Sequence, residues 1–154
     1  MKTPFSRILC PVELDEYAVN AMDLACRLAA DGDTTVYLLH VVVPFVPSPE
    51  QIGVPLEPYP LSEKQVRRQL EQLAREHLAG RVKYEVRTAV GDPARVIVSK
   101  IEEFAIDLVV MPTHGRRGLG RMILGSVAEQ VVRRASCPVL TTRPAAVEAK
   151  SERE

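Results

Sequence analysis

Short apolar, β-branched runs alternate along this sequence with longer stretches in which apolar residues recur at helical spacing. Five runs predict strands, at residues 7–12, 35–43, 83–90, 107–111 and 139–142. The fourth run is almost continuously apolar, as expected of a strand that is covered on both faces. Strands joined by such helices lie parallel with right-handed crossovers, so the pattern predicts an α/β fold, an open parallel sheet with helices on both faces.

Four helices are predicted between or after these strands. Asp15 is the candidate N-cap of the first helix. The third helix opens with Gly91, Asp92 and Pro93, which supply a turn glycine, an N-cap acid and a first-turn proline. The last helix ends before Pro138. The apolar faces comprise Ala18, Ala21, Met22, Ala25, Leu28 and Ala29; Val66, Leu70, Leu73, Ala74 and His77; Ala94, Ile97, Val98, Ile101 and Phe104; and Val127, Ala128, Val131, Val132 and Ala135.

The length of 154 residues suits one domain with one core. We predict that this domain spans residues 1–144 and that a polar, frayed tail follows over residues 145–154. Half of the twelve prolines fall within residues 44–60, which predicts a proline-rich excursion loop on the surface. A role in docking a partner is the alternative for that loop.

Charge, hydropathy and cysteine spacing exclude several classes of function. Twenty basic and twenty acidic side chains cancel, so net charge attracts neither nucleic acid nor an anionic membrane. No apolar run approaches the roughly 20 residues that cross a bilayer, and the N-terminus lacks the apolar core of a secretion signal. Cys10, Cys26 and Cys137 lie far apart in apolar segments and predict buried thiols. We therefore expect a cytoplasmic protein with no nucleic-acid or membrane partner.

The stretch from Met111 to Ser126 indicates the chemistry. It joins the fourth strand to the last helix and contains Gly115, Gly118, Gly120 and Gly125. Glycines permit positive φ and close backbone approach, and the N–H groups of a helix start favour an anion. Arginines suited to bidentate phosphate contacts add positive charge, and the cations of the stretch are His114, Arg116, Arg117 and Arg121. The predicted ligand is a nucleotide phosphate group.

Structural alternatives exist for these residues. Ser126 and Glu129 match the S-x-x-E capping box, in which the serine hydroxyl caps the helix, although the same hydroxyl could face an oxyanion. His114 could brace the turn, and the arginines could form a solvated face. The P-loop motif is absent, and Ile123 stands where a dinucleotide fingerprint requires its third glycine. Glu13 follows the first strand, where an acid could hold a ribose hydroxyl or a metal-bound water.

The sequence from the first strand to Arg143 resembles the universal stress protein family. The family marker Gly-x2-Gly-x9-Gly-Ser/Thr is matched at Gly115, Gly125 and Ser126, whereas Pro112 stands at its first glycine. The segments that begin at His40 and Gly91 are similar to further recurrent segments of the family. The resemblance implies a sheet of order 3-2-1-4-5, a homodimer formed through the last strand, and binding of ATP or AMP, with or without Mg²⁺.

The resemblance also implies a binding site. Pro11, Val12 and Val41 would flank the adenine, and Glu13 would stand where the family usually has an aspartate near the base and ribose. The residues that would surround ribose and phosphates are Met111, His114, Gly115, Arg116, Gly125, Ser126 and Val127.

Two functions follow as hypotheses. The first is a nucleotide-binding module of the stress response, in which occupancy biases a surface for an unknown protein partner. The alternative is a dimeric interaction protein with lost or weak nucleotide binding, because Pro112 has no N–H donor. No base and nucleophile stand out as a pair, so we expect no enzymatic activity.

Overall fold

One parallel sheet organises the protein. The computed structural model describes residues 4–29, 32–53, 60–113 and 124–143. Within these ranges the strands are β1 (Arg7–Pro11), β2 (Thr35–Val42), β3 (Lys83–Val90), β4 (Leu108–Pro112) and β5 (Val139–Thr142), in the order β3-β2-β1-β4-β5. This confirms the predicted fold class and strand order, and every predicted strand end lies within one residue of the observed one.

Four α-helices connect or follow the strands, as predicted. They are α1 (Tyr17–Leu28), α2 (Glu63–His77), α3 (Pro93–Glu103) and α4 (Ser126–Arg134). The proline-rich excursion contains a single 3-10 turn, Pro49–Gln51, in its described part. Residues 54–59 of that segment and the predicted tail lie outside the described residues.

The core has two halves because successive strand residues point to opposite faces of the sheet. On one face, Ile8 and Cys10 of β1 pack with α1 and α2. On the other face, Leu9 of β1 and Val109 of β4 pack with α3 and α4. Helices therefore cover both faces, and the carboxyl ends of the central strands β1 and β4 remain as the edge to which loops can bring functional groups.

Side chains cap the starts of α2 and α3. Asp92 Oδ1 accepts from the Arg95 N–H at 3.0 Å, as predicted for α3. The predicted N-cap of α1 was wrong by one residue: the N-cap position is Glu16, which makes no side-chain cap bond, although Oδ1 of the preceding Asp15 accepts from the Tyr17 N–H at 3.0 Å. At α2, Ser62 and Gln65 form a capping box that the sequence analysis did not identify.

The cysteine prediction is correct for two of the three thiols. Cys10 and Cys26 are buried, whereas Cys137 is only half-buried because it lies between α4 and the edge strand β5. All three are free. Burial raises the pKa of the Cys10 thiol, with a smaller contribution from Cys26, so Cys10 serves as a core residue.

Candidate functional site

A crevice is expected between β1 and β4 because the direction of winding reverses there. The helix that follows β1 packs on one face, and the helix that follows β4 packs on the other. The β1–β4 ladder joins Ile8 to Leu108 and Leu9 to Val109, whereas β1 stays paired with β2 as far as Pro11. Ligands of open α/β sheets bind at such reversal points, beyond the carboxyl ends of the strands.

Three of the predicted site residues come together beside this crevice. Val41, Met111 and Val127 belong to the same apolar cluster on the α3/α4 face, with Met111 buried and the two valines half-buried. Val12 is buried in the cluster on the opposite face. Val41, Met111 and Val127 therefore supply apolar surface where β2, β4 and α4 pack together.

Two hydrogen bonds join Val12, the residue after β1, to β2. The N–H of Val12 donates to the Leu39 carbonyl at 2.9 Å, and Nδ1 of His40 lies 2.8 Å from the Val12 carbonyl oxygen. Glu13 follows directly and is exposed. The sequence analysis did not identify this function of His40; the available signal was a polar residue at the end of an otherwise apolar strand.

The start of α4 is fixed by its backbone. The Gly125 N–H donates to the Thr113 carbonyl at 2.7 Å, and the first intrahelical bond runs from the Glu129 N–H to the Gly125 carbonyl at 2.9 Å. The N–H groups of Ser126, Val127 and Ala128 precede that bond and have no acceptor within the helix. Such groups, together with the helix dipole, suit an anion.

Thr113 connects this helix start to the sheet. It is 3% exposed, and both its N–H and its hydroxyl donate to the Thr142 carbonyl, at 2.9 and 3.2 Å. The sequence analysis gave Thr113 no role, because a threonine after a strand carries no distinctive pattern.

Two expectations for α4 were wrong. The N-cap is Gly125, no side chain caps the helix, and Ser126 is its first helical residue. Glu129 does not complete a capping box and instead pairs with Arg133 at 2.8 Å. Gly125 has φ −68° and ψ 159°, so it does not adopt the positive φ that was one reason proposed for a glycine. Because glycine has no side chain, the helix start has no side-chain acceptor at its N-cap.

Pro112 is the last residue of β4. The N–H groups of Val109 and Thr113 donate to carbonyls of residues at or beside β5, namely Pro138 and Thr142. Because amide directions alternate along a strand, the nitrogen of residue 112 faces β1. Proline is tolerated at this strand end because the pairing of β4 with β1 ends at Val109. The donor that proline lacks would have pointed into the crevice.

Part of the predicted site lies outside the described residues: His114, Gly115, Arg116 and the neighbouring Arg117 and Arg121. Within the ranges that are described, no group of three or more histidine, cysteine, aspartate or glutamate side chains is arranged to hold a metal ion. None of the described helices is long and apolar enough to cross a membrane.

A sequence model of the universal stress protein family matches residues 4–143. This chain belongs to that family. Among its relatives, a universal stress protein of Methanocaldococcus jannaschii is 34% identical over 143 residues, which cover 90% of this chain and 82% of the relative.

Solved structures of similar fold include universal stress proteins. The hypothetical protein MJ0577 superposes over 94% of this universal stress protein and 99% of its own chain, with TM-score 0.73 and 24% identity. An Arabidopsis thaliana member with AMP bound covers 96% of this chain and 97% of its own, with TM-score 0.60 and 23% identity. A universal stress protein in complex with cAMP covers 90% and 97%, with TM-score 0.62 and 22% identity.

Proposed function

We propose that this universal stress protein binds an adenine nucleotide at the carboxyl ends of β1 and β4, with a phosphate group at the start of α4. The observation that carries the proposal is the helix start itself. Gly125 caps α4 without a side chain, so the N–H groups of Ser126, Val127 and Ala128 begin the helix without a side-chain acceptor from the cap. The AMP and cAMP complexes of structures with this fold support the choice of nucleotide.

The base and ribose would lie on the other side of the crevice. Pro11, Val12 and Val41 would flank the adenine at the ends of β1 and β2, with Val41 as the half-buried one of the three. The exposed carboxylate of Glu13 would accept hydrogen bonds from ribose hydroxyls. Glu13 is one carbon longer than the aspartate usual in the family, so its side chain must fold back to reach the same position.

His114, Gly115 and Arg116 would complete the phosphate side, with arginine as a bidentate partner of phosphate oxygens. The ligand would be ATP or AMP, and Mg²⁺ would accompany the triphosphate. Nucleotide occupancy would act in the cytoplasmic stress response by changing the affinity for a protein partner, with no catalysis by this chain.

A second candidate is a homodimeric interaction protein in which nucleotide binding is weak or lost. It is favoured by β5, which forms one edge of the sheet. Leu140 of β5 and Val132 of α4 are 40% and 48% exposed. Pairing of β5 with its copy would satisfy the open edge and cover these side chains.

The first experiment identifies the ligand directly. Freshly purified protein is denatured and released nucleotides are separated, and the protein is then titrated by calorimetry with ATP and AMP, each with and without Mg²⁺. Gly125→Val places a branched side chain beside the helix start and should abolish binding. If the parent binds neither nucleotide at millimolar concentration, the proposed function is wrong; unchanged binding by Gly125→Val would place the site elsewhere.

The second experiment tests the missing donor of Pro112. Pro112→Ala restores an N–H in a strand conformation, and Pro112→Gly restores it together with backbone freedom. One net hydrogen bond is worth about 0.5–1.5 kcal/mol, so both variants should bind AMP roughly two- to tenfold more tightly. A gain for glycine alone would mean that close approach, and not the donor, limits the affinity.

A further inference from the structure

His40, near the end of β2, contacts the backbone of the residue that follows β1. Its Nδ1 lies 2.8 Å from the carbonyl oxygen of Val12, and a carbonyl can only accept, so Nδ1 must carry the proton. In the neutral ring this selects the Nδ1–H tautomer and leaves Nε2 as the acceptor. The imidazole is therefore a side-chain donor to the backbone at the position where β1 ends.

This contact adds a second hydrogen bond between β2 and the residue that follows β1. The Val12 N–H already donates to the Leu39 carbonyl at 2.9 Å. Val12 C=O and Glu13 N–H belong to one planar trans peptide, in which they point in opposite directions. By holding the carbonyl toward β2, His40 directs the Glu13 N–H away from β2, and β4 is the neighbour of β1 on that other side.

The side chains of His40 and Val41, near the end of β2, lie on opposite faces of the sheet. Val41 packs in the cluster on the α3/α4 face. His40 alternates with Val41 and lies on the α1/α2 face, as does Leu38. Beside it in register is Thr88 of β3, whose hydroxyl donates to Glu63 at 3.1 Å. Thr88 is a polar neighbour that does not contact Val12 in this way, which makes it a matched control.

We propose that His40 is a positioning residue for the nucleotide site: its Nδ1–H fixes the peptide between Val12 and Glu13 and so sets where the Glu13 backbone and carboxylate meet the ribose. The proposal rests on the proposed function. His40 acts through the peptide of Glu13 and does not itself contact the nucleotide.

The test uses three variants and two measurements. His40→Phe keeps an aromatic ring and removes the donor, His40→Asn places an amide N–H near the position of Nδ1, and Thr88→Val removes the neighbouring hydrogen bond. Calorimetry gives the dissociation constant for AMP. NMR of the ligand-free protein gives the chemical shift and order parameter of the Glu13 amide, together with the tautomer of His40.

We expect His40→Phe to weaken AMP binding roughly two- to tenfold, the range of one net hydrogen bond, and to lower the order parameter of the Glu13 amide. His40→Asn should recover both properties, and Thr88→Val should change neither. Parent-like AMP binding by His40→Phe would overturn the proposal, as would a loss that His40→Asn does not recover.

The NMR measurement separates this proposal from the proposed function. If the parent binds no nucleotide, the proposed function falls together with the role of His40 in binding, and the Glu13 amide still reports whether His40 orders the turn. If the parent binds AMP and the Glu13 amide is the same in His40→Phe, only the positioning role is wrong.

Discussion

Helices α3 and α4 pack on the same face of the sheet and begin at the same edge, yet their first turns are built differently. At the start of α3, fewer N–H donors are left for a ligand, because Asp92 accepts from the Arg95 N–H and Pro93 has no N–H. The start of α4 has Gly125 as N-cap and no side-chain cap. On the proposed function, the two helix starts have different tasks: the capped start of α3 stabilises the fold, and the uncapped start of α4 offers its N–H donors to the nucleotide phosphate.

Among changes that test this comparison, the largest effect is expected from giving α4 the cap it lacks. Gly125 already has N-cap dihedral angles, so Gly125→Ser should fold normally and change the free energy of unfolding by only a few tenths of a kcal/mol. Its side chain would compete with the phosphate for the N–H groups, and losing one hydrogen bond to a charged group costs about 1.5–3 kcal/mol. Calorimetry with AMP should show a roughly 10- to 100-fold weaker affinity.

Chemical denaturation of the same variant provides its control. A Gly125→Ser protein that is strongly destabilised, or one that binds AMP as the parent does, would contradict the proposal that the α4 start serves the ligand and the α3 start serves the stability of the fold.

The reciprocal change removes the cap that α3 has. Asp92→Ala should lower the free energy of unfolding by about 1 kcal/mol, or roughly 2–4 °C in melting temperature for a chain of this size. Its affinity for AMP should stay within a factor of two of the parent, because the α3 start is satisfied internally. A marked loss of affinity in Asp92→Ala would show that the two helix starts do not act independently.

A smaller effect is expected from the charge in the first turn of α4. Glu129 pairs with Arg133 at 2.8 Å, and both side chains are at least half exposed. The negative charge of Glu129 repels an anionic ligand at the helix start, and the surrounding solvent screens this repulsion. Glu129→Gln should therefore tighten AMP binding by no more than about two- to threefold. The gain should shrink as salt is raised. A gain that is independent of salt would argue against this electrostatic cause.

The smallest effect concerns an ion pair remote from both helix starts. Hydrogen bonding from Arg81 is the main cause that lowers the pKa of Asp23 from its ordinary value of 3.8. Because the pKa is lower in the folded state, the contribution to stability is present above the unfolded value and is lost as pH falls through the folded one. Urea unfolding should therefore show a small advantage of the parent over Asp23→Asn near neutral pH that disappears in strong acid.

Both proteins should bind AMP equally at neutral pH, because Asp23 lies on α1, on the face of the sheet opposite to α3 and α4. A difference in stability that persists unchanged in strong acid would exclude the ionised Asp23 as its source.

The fold was predictable from the sequence because each element has a local cause. The apolar run of β4 is buried on both faces, and Asp92 and Pro93 mark the start of α3 as they do in the structure. The strand order could be predicted only through the family resemblance, since hydrophobic periodicity identifies strands and not their neighbours.

The candidate site was less predictable because its contacts cross between elements. Ser126 and Glu129 match a capping box in sequence, yet the bond from Gly125 to Thr113 sets where α4 begins. The contact between His40 and Val12 joins residues 28 positions apart and depends on strand register. No single-sequence pattern encodes register directly, so Thr113 and His40 became visible only in the structure.

The hydrogen bond between Gly125 and Thr113 also has a consequence for how this protein can vary. It joins the end of β4 directly to the start of α4, through Thr113 and Gly125 at 2.7 Å. Between two points that are fixed in this way, doubling the length of a connecting segment costs only roughly 0.6 kcal/mol. We therefore expect insertions and deletions between Thr113 and Gly125 to change the stability of the sheet very little.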